Sequence, residues 1–287
     1  MLFALPDTDL LRLVLEDAPY GDITTAGLGI AAQPGRASFT AAADMTLAGV
    51  EDAARLLDLC DCRSIRHANS GTAVRCGTLL LEAEGLAGSL HRATKTAQIL
   101  LELASGMATR AAAIVAAARS ANPHVSVACT RKHMPGTKQI ALKAIIAGGA
   151  VPHRLGLSDS VLVFADHRAF LADGANLADV FQGLRAQAPE RRLGAEAQSE
   201  AEALALAEAG ADVVQIDKAT PESVARLAAA FRTYLPRPLL AAAGGINETN
   251  AAAFAAAGAD LLVTSAPYYA MPRDVKLRMT RVDRRCS

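Results

Sequence analysis

From about residue 120 onward the chain alternates short apolar runs with helical stretches, and this rhythm constrains the fold more than any other feature. HVSVACT, DSVLVFA, RLGAEA, ADVVQI, RPLLAAA and ADLLVTS are of strand length and bounded by polar or glycine residues. GTKQIALKAIIAGG, SEAEALALAEAG, PESVARLAAAFRTY and NETNAAAFAAAG follow strands with helical spacing. Strand–helix–strand alternation predicts parallel strands joined by crossover helices. Six strand candidates fall short of the eight of a closed barrel, so the expected architecture is an open barrel with fewer strands. A doubly wound parallel sheet is the alternative. The twin AGAD turns at Ala209–Asp212 and Ala257–Asp260 read as repeated helix-to-strand units, with Gly as the helix stop.

The first hundred residues read differently. Leu10, Leu11, Val14 and Leu15 have helical spacing over 7–17, with Asp7 as the expected N-cap. Pro19 and Gly21 break that helix. Extended segments are predicted at GRASFTAAAD, SIRHANSGTAVRC and TLLLEAEG, with a helix at VEDAARLLDLC between the first two. This order predicts a small α/β layer. A helical pattern runs from Ser89 to Ser120; Ser105-Gly106 is expected to interrupt it and mark the domain boundary.

Charge and cysteines narrow the function classes. With 29 basic and 29 acidic residues the net charge is zero, which excludes a general nucleic-acid or membrane surface and makes any anion site local. The locally basic tail VKLRMTRVDRRCS reads as a solvated end. Cys60, Cys62, Cys76, Cys129 and Cys286 are odd in number and form no CxxC pair, as expected of idle thiols in a reducing cytoplasm. The N-terminus carries Asp7, Asp9, Glu16 and Asp17 with no basic leader region, unlike a signal peptide. No run is expected to cross a membrane.

Function in a parallel barrel collects at the C-terminal strand ends. The predicted strands deliver Thr130, Arg131, Lys132 and His133, then Asp166, His167 and Arg168, then Glu196, Asp217 and Lys218, Gly244 and Gly245, and Ser265 to one rim. Gly244-Gly245 before a helix start would let backbone N–H groups approach a phosphate; a simple tight turn is the alternative. Glu196 and Asp217 suit Mg²⁺ or sugar hydroxyls, or else a rim salt bridge with Lys218 or Arg131. Arg131, Lys132, His153 and Arg154 form a cationic cluster suited to a carboxylate or phosphate, against the alternative of a solvated loop.

Taken together, YGDITT at 20–25, LLELASGMAT at 100–109, ACTRKHMPGTK at 128–138, AGGAVPHRLGLSDSVLV at 147–163, EAGADVVQID at 208–217 and AAAGGI at 241–246 resemble quinolinate phosphoribosyltransferases, the type II phosphoribosyltransferases of NAD synthesis. The wording from TRKHMPGTK to FADHRAF looks closer still to the ModD branch, whose members are encoded with molybdenum-transport systems. The resemblance implies an N-terminal open-faced α/β sandwich over 1–106 and an open parallel α/β barrel over 107–269, with the tail 270–287 packing back on the sandwich. It implies a homodimer, or a higher homo-oligomer, whose site combines the barrel of one subunit with the N-terminal domain of the other. The ligands it implies are phosphoribosyl pyrophosphate, Mg²⁺ and a small aromatic acid, with no nucleic acid or membrane partner.

By position, the resemblance makes Arg131, Lys132, His153 and Arg154 the acid-binding cluster, Glu196 and Asp217 the carboxylates at ribose and metal, and Gly244, Gly245 and Ser265 the phosphate region. It also marks departures. Lys95 stands for an Arg reaching in from the partner subunit, His133 for a Thr, and Phe164 for a Lys. Ala241 and Ala243 stand for a Glu and a Ser. The expected activity is Mg²⁺-dependent phosphoribosyl transfer to a nitrogen-containing, quinolinate-like aromatic acid. The competing expectation is a scaffold that binds or senses a metabolite for a molybdenum transport system. A Schiff-base aldolase using Lys132 or Lys218 is the third.

Overall fold

The computed structural model describes residues 5–282 of the chain. Its strands in chain order are β1 (Pro34–Ala41), β2 (Met45–Thr46), β3 (Arg63–Arg66), β4 (Ala73–Val74), β5 (Leu79–Leu86), β6 (Ser126–Cys129) and β7 (Val151–Pro152). They continue with β8 (Val161–Val163), β9 (Leu193–Ala197), β10 (Val213–Asp217), β11 (Leu239–Ala243), β12 (Leu261–Thr264) and β13 (Val275–Arg281). The chain divides into two units: one runs to Ala112 and takes in Met134–Gly149 and the segment from Pro267, and the other comprises Ala113–His133 and Ala150–Ala266.

The second unit carries a seven-stranded parallel sheet in the order β7-β6-β12-β11-β10-β9-β8. The six predicted strands are all present. The seventh, β7, is two residues long and ends in Pro152, too short to leave a periodic trace in the sequence. It and the three-residue β8 are the sheet's edges, so the barrel stays open. Short edges also leave little unpaired backbone to recruit foreign strands.

The AGAD repeats explain how the barrel is spaced. Gly210 (φ 94°) and Gly258 (φ 98°) supply the left-handed residue after each helix. The Asp that follows staples the start of the neighbouring strand: Asp212 Oδ2 accepts from Leu193 N at 2.7 Å, and Asp260 Oδ2 from Leu240 N at 2.8 Å. Ser199 and Thr220 cap the two intervening helices, Glu200–Glu208 and Pro221–Phe231. Inside the sheet, Ala241, Ala243 and Val263 pack with Val213 and Leu261. These small side chains leave the strand ends room for polar groups.

In the first unit an antiparallel sheet, ordered β13-β1-β5-β3, packs against helices Asp7–Asp17 and Val50–Leu59 and the start of a long helix, Ala87–Ala121, around Phe39, Leu57, Leu81 and Leu101. Four expectations change here. Pro6, not Asp7, is the N-cap; Asp7 instead accepts from Arg55 Nε at 2.9 Å. SIRHANSGTAVRC is two strands, β3 and β4, separated by turns at 67–72. Tail residues 275–281 are not a free solvated end: they form β13, paired with β1, with Val275 buried and Lys276 and Arg278 on the open face. Cys286, and the tail from 283, lie outside the described residues.

The fourth change concerns Ser105-Gly106. The helix runs through both without a break. A Cβ on Gly106 would lie 2.4 Å from Met271 O, so the glycine serves a close backbone approach rather than a helix stop. This helix also holds an apolar window that is long enough, by length and composition alone, to cross a membrane. Half of that window is buried inside the protein, and that burial accounts for its apolarity.

Candidate active site

The cations are gathered by sheet register. Cys129 pairs with Pro152 across β6 and β7 and with Thr264 across β6 and β12. Thr130 N then donates to Thr264 O, and His153 N to Cys129 O, both at 2.9 Å. The ladder thus extends one residue beyond the strands, and Arg131, Lys132, His153 and Arg154 leave it at the same end. Arg154 is 8% exposed and Arg131 is exposed. Burial, and then the nearby Arg131 charge, hold Arg154 below the ordinary guanidinium value. Among the described residues no carboxylate forms a salt bridge with either. Burial first, then Arg154 and Arg131, lower His153, against an opposing effect of Gln215; its imidazole is neutral at pH 7.

Phe164 follows β8 as the N-cap of the short helix Ala165–Arg168 and packs against two members of this rim. The Arg154 guanidinium lies 5.6 Å from its ring centroid, within cation–π range. The His167 ring stacks on it at 5.6 Å, and His167 Nδ1 accepts from Phe164 N at 3.0 Å. Arg168 is structural, donating to Glu196 O at 3.1 Å and pairing with Glu202. Asp166 is exposed on the short helix Ala165–Arg168.

Glu196 and Asp217 are the carboxylates of this rim. Gln215 and Glu196 are register partners across β10 and β9, and Gln215 Nε2 donates to Glu196 Oε2 at 2.5 Å. Burial and the Asp217 charge push the Glu196 carboxyl up, while Gln215, Lys132 and Arg168 pull it down. Neither carboxylate forms an ion pair with Lys218 or Arg131 among the described residues, so the salt-bridge alternative fails. No group of three or more His, Cys, Asp or Glu is placed to hold a metal among the described residues. Glu196 and Asp217 nonetheless fit Mg²⁺, which takes one or two carboxylates and completes its shell with water and substrate phosphate.

At the ends of β10 and β11, Gly244 (φ 92°) and Gly245 (φ 72°) adopt the left-handed turn that glycine allows. A Cβ on Gly244 would meet Lys218 N at 2.7 Å. Lys218 is itself left-handed, φ 55°, a strained state for a side-chain-bearing residue. It is clamped by its N–H bond to Ala243 O at 2.9 Å. The expected helix start beside the glycines is corrected. An Asn247–Asn250 turn intervenes, and the helix Ala251–Ala256 is six residues long. Asn247 and Asn250 pin the Gly-Gly turn by donating to Gly245 O at 3.1 Å each. Ser265 follows β12, half-buried at the same rim; Ala241 and Ala243 are buried in the barrel interior.

His133 is half-buried beyond Lys132. Lys95 belongs to the first unit, exposed on the Ala87–Ala121 helix, with Nζ donating to Gln98 at 3.2 Å. Sequence reasoning missed Gln215. Its signal was available: a polar residue amid apolar VVQID, two positions before Asp217 and so on the same strand face.

Comparison with known proteins agrees with this architecture. Residues 22–105 match the family model for the quinolinate phosphoribosyl transferase N-terminal domain, and residues 107–278 that for its C-terminal domain. The chain is 48% identical over 251 residues to a Rhodobacter capsulatus protein named "Putative pyrophosphorylase ModD", covering 88% of this chain and 96% of that one. It is 37% identical over 271 residues to the Pasteurella multocida protein of the same name, covering 94% and 96%. NadC from Streptococcus pyogenes superposes with a TM-score of 0.87 at 26% identity, over 96% of this chain and 97% of that chain. The nicotinate-nucleotide pyrophosphorylase of Ehrlichia chaffeensis shares the fold at a TM-score of 0.88 and 18% identity, over 98% and 100%. An open parallel α/β barrel with an antiparallel α/β layer is thus the fold, the doubly wound alternative falls away, and the chain belongs to the quinolinate phosphoribosyltransferase family, as a phosphoribosyltransferase.

Proposed function

We propose that this enzyme transfers phosphoribose from phosphoribosyl pyrophosphate to the ring nitrogen of a small, quinolinate-like aromatic acid. One observation carries the reading: Arg131 and the buried Arg154 stand together without a carboxylate partner, at the rim that also bears Glu196, Asp217 and Gly244-Gly245. Two adjacent guanidiniums suit an anionic ligand that would complete their forks. Arg131, Arg154 and the neutral His153 orient the acid, with Lys132 and His133 alongside. The ring nitrogen attacks ribose C1; the N–C1 bond forms as the bond from C1 to the pyrophosphate oxygen breaks. Glu196 and Asp217 face the ribose and stabilise the positive charge developing there. Gly244, Gly245 and Ser265 receive phosphate. The site needs no protein nucleophile, so catalysis is positioning and electrostatics.

Mg²⁺, held by Glu196 and Asp217, would neutralise the leaving pyrophosphate. The same proposal includes a cytoplasmic homodimer in which Lys95 of the partner subunit completes the acid end. The test is pyrophosphate release from phosphoribosyl pyrophosphate and Mg²⁺ with quinolinate and a panel of related aromatic acids. Release with one of them, lost in Arg131→Ala, is the expected result; unchanged turnover in that variant would refute the assignment. The apolar Ala241 and Ala243 beside the glycine turn favour a second reading, a metabolite sensor for a molybdenum transport system. That reading predicts donor binding without release.

A further inference from the structure

Thr264 closes β12 and is 4% exposed. A buried hydroxyl is costly unless it is hydrogen-bonded, and this one is bonded as both donor and acceptor. Oγ1 donates to Ile246 O at 2.6 Å and accepts from Ala266 N at 3.0 Å. Its partners lie on different loops. Ile246 follows the Gly244-Gly245 turn after β11, and Ala266 follows Ser265 after β12. Because β11 and β12 are paired neighbours, a single hydroxyl ties together the loops that leave them.

The backbone of the same residue has a separate task. Thr264 O accepts from Thr130 N at 2.9 Å, which holds the start of the Arg131-Lys132 segment. A change of side chain at 264 leaves that carbonyl in place. The cationic segment and the glycine turn therefore hang on different atoms of one residue.

The tie matters because of what the two loops present. Among the described residues the backbone N–H groups of Gly244, Gly245 and Ser265 donate no hydrogen bond. Successive amides in a turn with left-handed residues make a concave receptor for an anion, and Gly244 (φ 92°) and Gly245 (φ 72°) have that backbone. The carbonyls beside them are taken: Gly245 O accepts from Asn247 and Asn250, and Ile246 O from Thr264. The turn is thus anchored through its carbonyls, and its amides are left for a ligand. We propose that Thr264 is the positioning residue of the phosphate end: its buried hydroxyl fixes the Gly244-Gly245 turn against the Ser265 loop, so that amides from both meet one phosphate group of the donor. That part in donor binding rests on the function proposed above; the tie between the loops does not.

The experiment uses the full chain as Thr264→Val, which keeps the shape and removes the hydroxyl, and as Thr264→Ser, which keeps the hydroxyl. Amide hydrogen exchange is read first, with no ligand present. In Thr264→Val the Asn247 and Ala266 amides should exchange about tenfold faster, the size of one lost hydrogen bond, while β9 and β10 are unchanged; Thr264→Ser should match the wild type. Binding of phosphoribosyl pyrophosphate with Mg²⁺ is then measured by calorimetry, and KM is measured for donor and acid in turn. Thr264→Val should weaken donor binding and raise donor KM by about tenfold, with kcat and the KM for the acid close to wild type, and Thr264→Ser should restore the donor values. A merely structural role would lower the active fraction, and so kcat, without moving donor affinity. Unchanged exchange in Thr264→Val overturns the tie, and unchanged donor affinity despite faster exchange overturns the positioning role. If Thr264→Val fails to fold, Thr264→Ser carries the test, and loss of donor affinity there with wild-type exchange overturns the proposal. Wild-type protein that binds no donor would refute the proposed function and the positioning role with it, and the exchange rates alone would then uphold or overturn the tie.

Discussion

Arg154 shows how one residue's surroundings set what it can do. It is buried, it has an unpaired fork, and one face lies against Phe164. A lysine there would keep the charge but lose both the fork and the stacking. Arg154→Ala is expected to lower kcat/KM for the aromatic acid by about 10–100-fold, in line with one charged hydrogen-bonding group, and to leave KM for phosphoribosyl pyrophosphate nearly unchanged. Arg154→Lys should recover little of that loss; steady-state rates with each substrate varied in turn decide it. His153 belongs to the same scale. Its folded pKa lies below the ordinary imidazole value, so on acidification the unfolded chain takes up the proton first. The stability contributed by the neutral ring is therefore complete above about pH 6.5 and is lost as pH falls towards the lower folded value. Urea midpoints across that window should decline less steeply in His153→Gln than in the wild type. An identical decline in the two proteins would place the acid sensitivity elsewhere.

Among the elements, two helical glycines look alike in sequence and differ in what surrounds them. Gly183, in helix Leu177–Gln187, has open space where a Cβ would go. Gly106 has the Met271 carbonyl oxygen 2.4 Å from that point, and a backbone atom cannot swing aside. Gly183→Ala should stabilise by about 0.5–1 kcal/mol, the intrinsic helix preference. Gly106→Ala should destabilise by about 1–3 kcal/mol through overpacking. Thermal melts of the two variants should therefore move in opposite directions; a rise for both would mean that the Met271 segment yields easily. The elements themselves were largely legible in the chain, because capping by Ser199 and Thr220 and helix stops at Gly210 and Gly258 are local effects. The continuity of Ala87–Ala121 was not, because what Gly106 accommodates is more than 160 residues away in sequence.

For the whole molecule, chain order and spatial grouping part company. Helix Lys138–Ala147 follows a barrel strand, yet it belongs with the first unit. Lys143, half-buried, forms an ion pair with the buried Asp52, and Gly148 lies close against Ala108. Ala144 packs with Ala48, Ala104 and Ala108. The proposed dimer makes a prediction at this scale. Lys95→Ala and Arg131→Ala proteins, each inactive alone, are mixed and allowed to exchange subunits. If Lys95 serves the partner's site, half of the dimers are mixed and each has one intact site, so about a quarter of wild-type activity should return. No recovery after verified exchange would mean that Lys95 does not act across the subunit boundary.

What the sequence by itself determined is whatever rests on local pattern: the alternation that makes a parallel barrel, the short polar segments at strand ends, and the motifs that carry the family resemblance. Arg131, Lys132, Glu196, Asp217 and the Gly-Gly turn could be proposed from it, because the rule that parallel strands present their C-terminal ends together needs no knowledge of which strand neighbours which; His153 and Arg154 were proposed from the local charge pattern and the resemblance, since β7 leaves no periodic trace. Strand order and packing decided the rest. Only the placement of β7 beside β6 sets His153 next to Thr130. The pairing of β9 with β10 brings Gln215 onto Glu196, and the folded rim lays Arg154 over Phe164. These contacts join residues far apart in the chain, and their energies depend on burial and on distances of a few ångströms. Neither exists until the strands have assembled.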